Sequence, residues 1–159
     1  MEALERMING AQAAQTMLGQ WVKEELSPLS GFVVDMVRAQ LMDGKAADGR
    51  DLSPSYLKDP YFETRKQAVA YMLYKQRITP NPRRNRTAPN LYITGEFHNS
   101  LYAEMGAEAM EIRTASAWGE GVMNKYGRES FGLNDQHMDE LGERLKPLLI
   151  ERIKTQILG

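Results

Sequence analysis

The residues that could perform nucleophilic or acid–base chemistry are few and isolated. The chain has no cysteine and two histidines, His98 and His137. A nucleophile–base pair needs a serine or cysteine beside a histidine that can take its proton, and neither histidine lies in a hydrolase-type motif. We expect His98 to be a surface or capping residue and His137 to be solvated in the first turn of a helix. The sequence therefore predicts that the protein is not an enzyme.

Motifs that would hold a metal, a phosphate or a dinucleotide are incomplete. The segment 43–56 is similar in composition to a calcium loop. However, Lys45 and Ala47 replace oxygen ligands, and Pro54 stands where the bidentate glutamate belongs. Gly119-Glu120-Gly121 is not followed by the Gly-Lys-Ser/Thr of a phosphate loop. Two histidines without cysteine cannot complete a structural zinc site, so we expect neither a metal nor a cofactor.

The most distinctive chemical feature is a basic segment in the middle of the chain. Between Thr64 and Gly95 seven residues are basic and none is acidic, and each flank carries a net charge of −4. The basic residues are Arg65, Lys66, Lys75, Arg77, Arg83, Arg84 and Arg86. Arginine side chains bind phosphate oxygens without reading a base sequence. The segment therefore predicts either a phosphate contact or a solvent-exposed loop that forms salt bridges with an acidic neighbour.

Four arginines are the candidate contact residues: Arg77, Arg83, Arg84 and Arg86. In a homo-oligomer they would meet the acidic flank of the next subunit. The segment 78–90 contains three prolines and no apolar period, which predicts an extended Pro/Arg-rich arm or loop.

The elements that must position these residues are mostly helices. Residues 2–25 carry an apolar stripe at helical spacing, formed by Leu4, Met7, Ile8, Ala11, Leu18, Trp21 and Val22. Further helices are predicted over 31–42, 64–77, 119–126 and 135–158, with Thr64 as the cap of the third. Pro147 lies inside the last helix, where we expect a kink or a break.

A hairpin completes the predicted fold. Segments 100–105 and 109–116 have strand character, with Gly106 in the turn. N-terminal helices, this small antiparallel sheet and a long C-terminal amphipathic helix predict an α+β fold in a single domain over residues 1–159. Charges interrupt the N-terminus at once and no stretch approaches about 20 apolar residues, so we expect neither a secretory signal nor a membrane span.

The order of motifs in the second half resembles a known family. Leu91, Thr94, Gly95, Phe97 and Ser100 form a Leu-x-x-Thr-Gly-x-Phe-x-x-Ser segment. The hairpin, Lys125-Tyr126-Gly127, Phe131-Gly132-Leu133 and the helix from Asp135 follow it. This order resembles phage virion-morphogenesis and tail-completion proteins, which join heads to tails. Scattered motifs from Gln40-Leu41 to Asp59-Pro60-Tyr61-Phe62 are similar to uncharacterised proteins of phages and prophages of Bacteroides-type bacteria.

The resemblance implies a non-enzymatic structural subunit of a virion, made in the bacterial host cytoplasm. Its partners would be copies of itself in a ring at the head–tail junction and other neck, portal-adjacent or tail proteins. If such a ring lined a DNA passage, the same four arginines could also make non-specific contact with packaged DNA in its lumen. The Pro/Arg arm departs from the family pattern, which leaves open a connector, a tail terminator or a short-tail component. The alternative function is a small nucleic-acid-binding module that uses the basic 65–86 segment.

Overall fold

The computed structural model describes residues 1–79 and 84–159 and confirms an α+β fold. Within these two ranges, six helices and two strands follow one another. They are α1 (Glu2–Leu26), α2 (Ser30–Met42), α3 (Arg65–Ile78), α4 (Glu96–Ser100), β1 (Leu101–Met105), β2 (Met110–Thr114), α5 (Gly119–Tyr126) and α6 (Asp135–Leu158). Short 3-10 turns lie at Ser27–Leu29 and Arg128–Ser130. All five predicted helices and the predicted hairpin are confirmed, and α4 is a helix that the sequence pattern did not predict.

The chain divides into two compact units. The helical unit comprises Met1–Ser30 and Gln136–Gly159, and the central unit comprises Gly31–Asp135. Two compact units can belong to one domain, so the single domain stays a prediction.

The core of the central unit is built around α2. Because this helix is apolar on most of its faces, neighbouring segments can cover it from several sides. The buried cluster consists of Val34, Val37, Leu41, Ala46, Leu52, Phe97, Leu101, Met123 and Phe131. Helices α4 and α5 and strand β1 therefore contribute to the same core as α2.

The hairpin packs one face against this core. Strands β1 and β2 are antiparallel, with Ala103 opposite Ile112, and both residues pack on the buried cluster. On the exposed face the guanidinium of Arg113 lies 3.1 Å from Glu104 and 2.9 Å from Glu111. A two-stranded sheet is only marginally stable alone, so its contact with the core holds it in place.

A buried glutamine ties the segment before α6 to α2. The side-chain nitrogen of Gln40 donates to the Gly132 carbonyl at 2.8 Å, and its oxygen accepts from the Asn134 amide at 3.0 Å. One side chain therefore satisfies a donor and an acceptor of a chain segment that is remote in sequence.

In the helical unit, α1 and α6 approach each other closely at Gly10. A Cβ atom at this position would lie 2.8 Å from the Gln156 carbonyl oxygen and 3.0 Å from Ile157 Cα, so only glycine fits without a shift. Arg152 of α6 forms ion pairs with Glu24 and Glu25 of α1. Helix α6 is continuous through Pro147, so a break there is wrong, and a kink at this residue stays a prediction.

Candidate functional site

The basic segment begins at the N-terminus of α3, which is capped as the sequence predicts. The Thr64 hydroxyl accepts from the Gln67 amide at 3.2 Å, and the Gln67 side-chain oxygen accepts from the Thr64 amide at 3.3 Å. This reciprocal capping box fixes the first turn of the helix. The cap therefore sets which faces of α3 carry the basic residues that follow.

Four of the basic residues are exposed. These exposed basic residues are Arg65, Lys66, Arg77 and Arg86. At about 100° per residue, Lys66 and Arg77 lie on one face of α3 and are roughly 16 Å apart along its axis. Within residues 1–79 and 84–159, no carboxylate forms an ion pair with Arg77 or Arg86. Their charges are therefore available to a partner.

Arg84 is placed differently from the other candidate arginines. It is buried, and its guanidinium donates to the Ala88 carbonyl. This side chain is therefore engaged inside the chain, and we restrict the proposed contact to Arg77, Arg83 and Arg86. Arg83 itself lies outside the described residues, so its contact stays a prediction.

The described part of the predicted arm packs on the central unit. Ala88, Pro89 and Asn90 are buried, and the Tyr56 amide donates to the Thr87 carbonyl at 2.8 Å. Residues 88–90 are therefore packed inside this unit, whereas Asn85 and Arg86 are exposed, and the extended arm or loop over 78–90 stays a prediction. Ile78, at the other end of the predicted arm, is the last residue of α3.

A cavity that the sequence did not predict lies beside this segment in the central unit. Its volume is ≈ 210 Å³. Its walls are mainly apolar, and the aromatic side chains among them are Tyr56, Tyr71, Phe97, Trp118 and Tyr126. Nothing in the sequence pattern indicated that a cavity would remain beside Tyr71.

Lys75 lines this cavity and is the most deeply buried charged residue that the structure describes. It is 1 % exposed, and its amine donates to the Tyr92 carbonyl. Burial and the nearby Arg84 guanidinium lower the pKa of Lys75 to about 8. The basic segment is therefore not one surface, because Lys75 and Arg84 turn inward while the exposed basic residues turn outward.

The backbone beside the cavity is strained at one residue. Leu91 has a φ of 59°, in the left-handed region that a leucine rarely adopts. On one side of it, the Asn90 carbonyl lies 2.7 Å from Nε2 of His98. On the other side, the Tyr92 carbonyl accepts from Lys75. Strain of this kind is retained where the surrounding structure enforces it and is concentrated at functional sites.

The prediction that His98 is a surface or capping residue is wrong. The imidazole is buried, and its Nδ1 atom has no partner among the described residues. Burial lowers the pKa of His98, and the positive charges of Lys75 and Arg38 lower it further. The imidazole of His98 is therefore uncharged near neutral pH. Helix α4 places it against the buried Asn90 carbonyl, so its role is structural.

The apolar stripe of α1 is largely uncovered. Leu4 is 60 % and Ile8 49 % exposed, and Met7 and Leu18 are also exposed. Of the predicted stripe only Trp21 is buried; the other buried positions of α1, Gly10 and Ala14, lie beside the stripe and share one edge with Trp21. We call Leu4, Met7, Ile8 and Leu18 the exposed α1 stripe.

The described part of the chain contains neither a metal-binding cluster nor a membrane-spanning helix. No group of three histidine, aspartate or glutamate side chains there could hold a metal ion. No helix there is long and apolar enough to span a bilayer. Comparison with family models, with curated proteins and with solved structures finds no match to this chain.

Proposed function

We propose that this protein is a non-enzymatic structural subunit of a phage virion, which forms a ring at the head–tail junction. The order of motifs from Leu91 to the helix at Asp135 motivates the assignment to a virion. The exposed α1 stripe is the observation that carries the assignment to an assembling subunit. Its partners are other copies of the chain and neighbouring neck, portal-adjacent or tail proteins.

The exposed α1 stripe favours burial against a partner. Large apolar patches on a soluble protein mark surfaces that bind other molecules. Fully burying a leucine, isoleucine or methionine stabilises a complex by about 1.5–3 kcal/mol. Leu4, Met7 and Ile8 lie within two turns of α1, so one partner surface can cover all three.

The exposed basic residues supply a second, chemically different surface. Subunits in a ring meet head to tail, so two different surfaces of one chain must be complementary. The acidic flanks of the sequence offer the opposite charge to Arg77 and Arg86. Such complementarity selects the partner and speeds association more than it raises affinity.

The first test measures assembly of the purified chain and its presence in virions. We expect native mass spectrometry and negative-stain electron microscopy to show a closed ring, alone or on the neck of the particle. Replacing Leu4→Glu and Ile8→Glu together should weaken assembly at least about tenfold. Losing the burial of two apolar side chains costs more than the roughly 1.4 kcal/mol that corresponds to a tenfold change in affinity.

The matched control places the same charges on the other side of α1. Asn9 and Thr16 are exposed and lie away from the stripe, so Asn9→Glu with Thr16→Glu should assemble like the unaltered chain. Equal loss in both double variants would argue against the stripe as the interface. A chain that is strictly monomeric and missing from virions would refute the proposed function.

A nucleic-acid-binding module is the second candidate, and the exposed Lys66 and Arg77 on one face of α3 favour it. Binding through phosphate contacts weakens steeply as salt rises. Replacing Arg77 and Arg86 with alanine separates the two functions. Lost assembly with unchanged DNA retention supports the ring; lost, salt-sensitive DNA retention with intact assembly supports the nucleic-acid module.

A further inference from the structure

The charged groups around the cavity of the central unit are not equally compensated. The Lys125 amine lies 2.6 Å from the Asp59 carboxylate. The Glu96 carboxylate accepts from the Trp118 indole nitrogen at 3.2 Å. Within the described ranges, Lys75 has no carboxylate partner, and its amine donates only to a carbonyl. Among the described residues Glu96 also has no ion-pair partner, but it is exposed, so Lys75 is the buried charge of the cavity that is not compensated.

An uncompensated buried amine favours the binding of an anion. A buried charge is costly unless it is paired, and here the Arg84 guanidinium adds a second positive charge close to Lys75. A carboxylate at the amine would accept hydrogen bonds from it and neutralise part of this charge. Charge-assisted hydrogen bonds of this type are about twice as strong as neutral ones.

The remaining walls of the cavity favour an anion that carries an aromatic ring. A dry apolar cavity of about 150 Å³ holds a benzene ring, so ≈ 210 Å³ leaves room for one ring and a short substituent. Phe97 and Trp118 have ring centroids 5.8 Å apart, within the range in which aromatic rings attract one another.

We propose that this cavity binds a small aromatic carboxylate, with its ring among the aromatic walls and its carboxylate accepting hydrogen bonds from the Lys75 amine. The strained backbone at Leu91 fixes the carbonyl that orients this amine before a ligand arrives. Such a site lies within the central unit and goes beyond the proposed assembly function, on which it does not depend.

The test compares two ligands that differ only in the acid group. Phenylacetate and phenylacetamide are titrated into the full chain by isothermal titration calorimetry near neutral pH. We expect phenylacetate to bind at least about tenfold more tightly, since a hydrogen bond between two charged groups is stronger than one to a neutral amide. Equal affinity, a preference for the amide, or no binding of phenylacetate at millimolar concentration would overturn the proposal.

Substitutions in α3 test whether the Lys75 amine causes the preference for phenylacetate. Lys75→Met keeps the length of the side chain and should abolish the preference for the acid. Lys66→Met removes the same charge from an exposed position of the same helix and should leave the preference intact. An unchanged preference in Lys75→Met, or its loss in Lys66→Met, would contradict the assignment.

If Lys75→Met does not fold, the pH dependence of ligand affinity in the unaltered chain tests the role of Lys75. Lys75 has a pKa of about 8, so above that value phenylacetate should weaken about tenfold per pH unit and phenylacetamide should not. Burial raises the pKa of Tyr56 to about 12 and also raises that of Tyr71 and Tyr126. These walls therefore stay neutral. The charged or titratable neighbours of Lys75 are Arg84, Glu96, Lys125 and His98, and the pKa of His98 is lowered from 6.5 by burial, away from the range above about 8. A preference that does not change with pH would overturn the proposal.

Discussion

The two compact units of this chain differ in how completely they cover their own apolar residues. In the central unit, α2 is wrapped by segments from across the unit, and Val37 and Leu41 are fully buried. In the helical unit, α1 leaves Leu4 and Ile8 largely exposed. Both helices carry apolar residues at helical spacing, so spacing alone does not determine burial.

The difference indicates that the two units have different tasks. A helix whose apolar face is covered contributes to folding, whereas an uncovered face gains free energy only when another molecule buries it. The covered apolar residues of the central unit therefore contribute to folding, and this unit also contains the cavity. The helical unit presents the surface on which the proposed assembly depends.

The largest expected effect is a difference between two leucines. Leu41→Ala in the core of the central unit should lower the free energy of unfolding by about 2–5 kcal/mol, because it removes buried contacts and leaves a cavity. Leu4→Ala should change the free energy of unfolding by no more than about 0.5 kcal/mol, because this side chain is exposed. Urea unfolding at low protein concentration measures both. Similar losses would show that α1 is covered in solution even without a partner.

A smaller effect should separate two glycines of α1. Gly19→Ala should stabilise the helix by up to about 1 kcal/mol, since alanine is the better helix former and nothing lies within 4 Å of the new methyl group. Gly10→Ala should destabilise the helical unit by about 1–3 kcal/mol, because the added carbon overpacks the contact with α6. Urea unfolding and hydrogen exchange of the α6 amides measure the change. Stabilisation by both substitutions would show that the close approach at Gly10 does not persist.

The smallest expected effect concerns pH and the buried His98. Its pKa is lower in the folded chain than its ordinary value of 6.5. The folded state therefore binds fewer protons, and stability that is fully present above about 6.5 is lost as the pH falls through and below that value. His98→Gln keeps a side-chain nitrogen that can donate to the Asn90 carbonyl and does not titrate. Urea unfolding between about pH 7 and about pH 5 should show a shallower decline in His98→Gln than in the unaltered chain; parallel declines would show that this imidazole does not contribute.

The sequence predicted the local structure well because local structure depends on nearby residues. The apolar spacing of α1, the Thr64 cap and the alternation around Gly106 each act within a few positions of the chain. The extent of α6 was also predicted within a residue, and only the alternative of a break at Pro147 was wrong.

The candidate site was harder to predict because it depends on which side chains turn inward. Seven basic residues with no acidic residue among them suggested one basic surface, yet Lys75 and Arg84 are buried. Lys75 turns inward because Tyr92, remote in sequence, presents a carbonyl to it. No periodic pattern encodes such a contact, and the same holds for His98 and for the cavity.

The amide of Gln40 has a consequence for how the central unit opens. Because this one side chain holds both the Gly132 carbonyl and the Asn134 amide, the segment before α6 cannot leave α2 in small steps; both bonds break together. Opening of that segment should therefore be all-or-none. The hydrogen-exchange rate of the Asn134 amide would then measure how often the segment before α6 separates from α2.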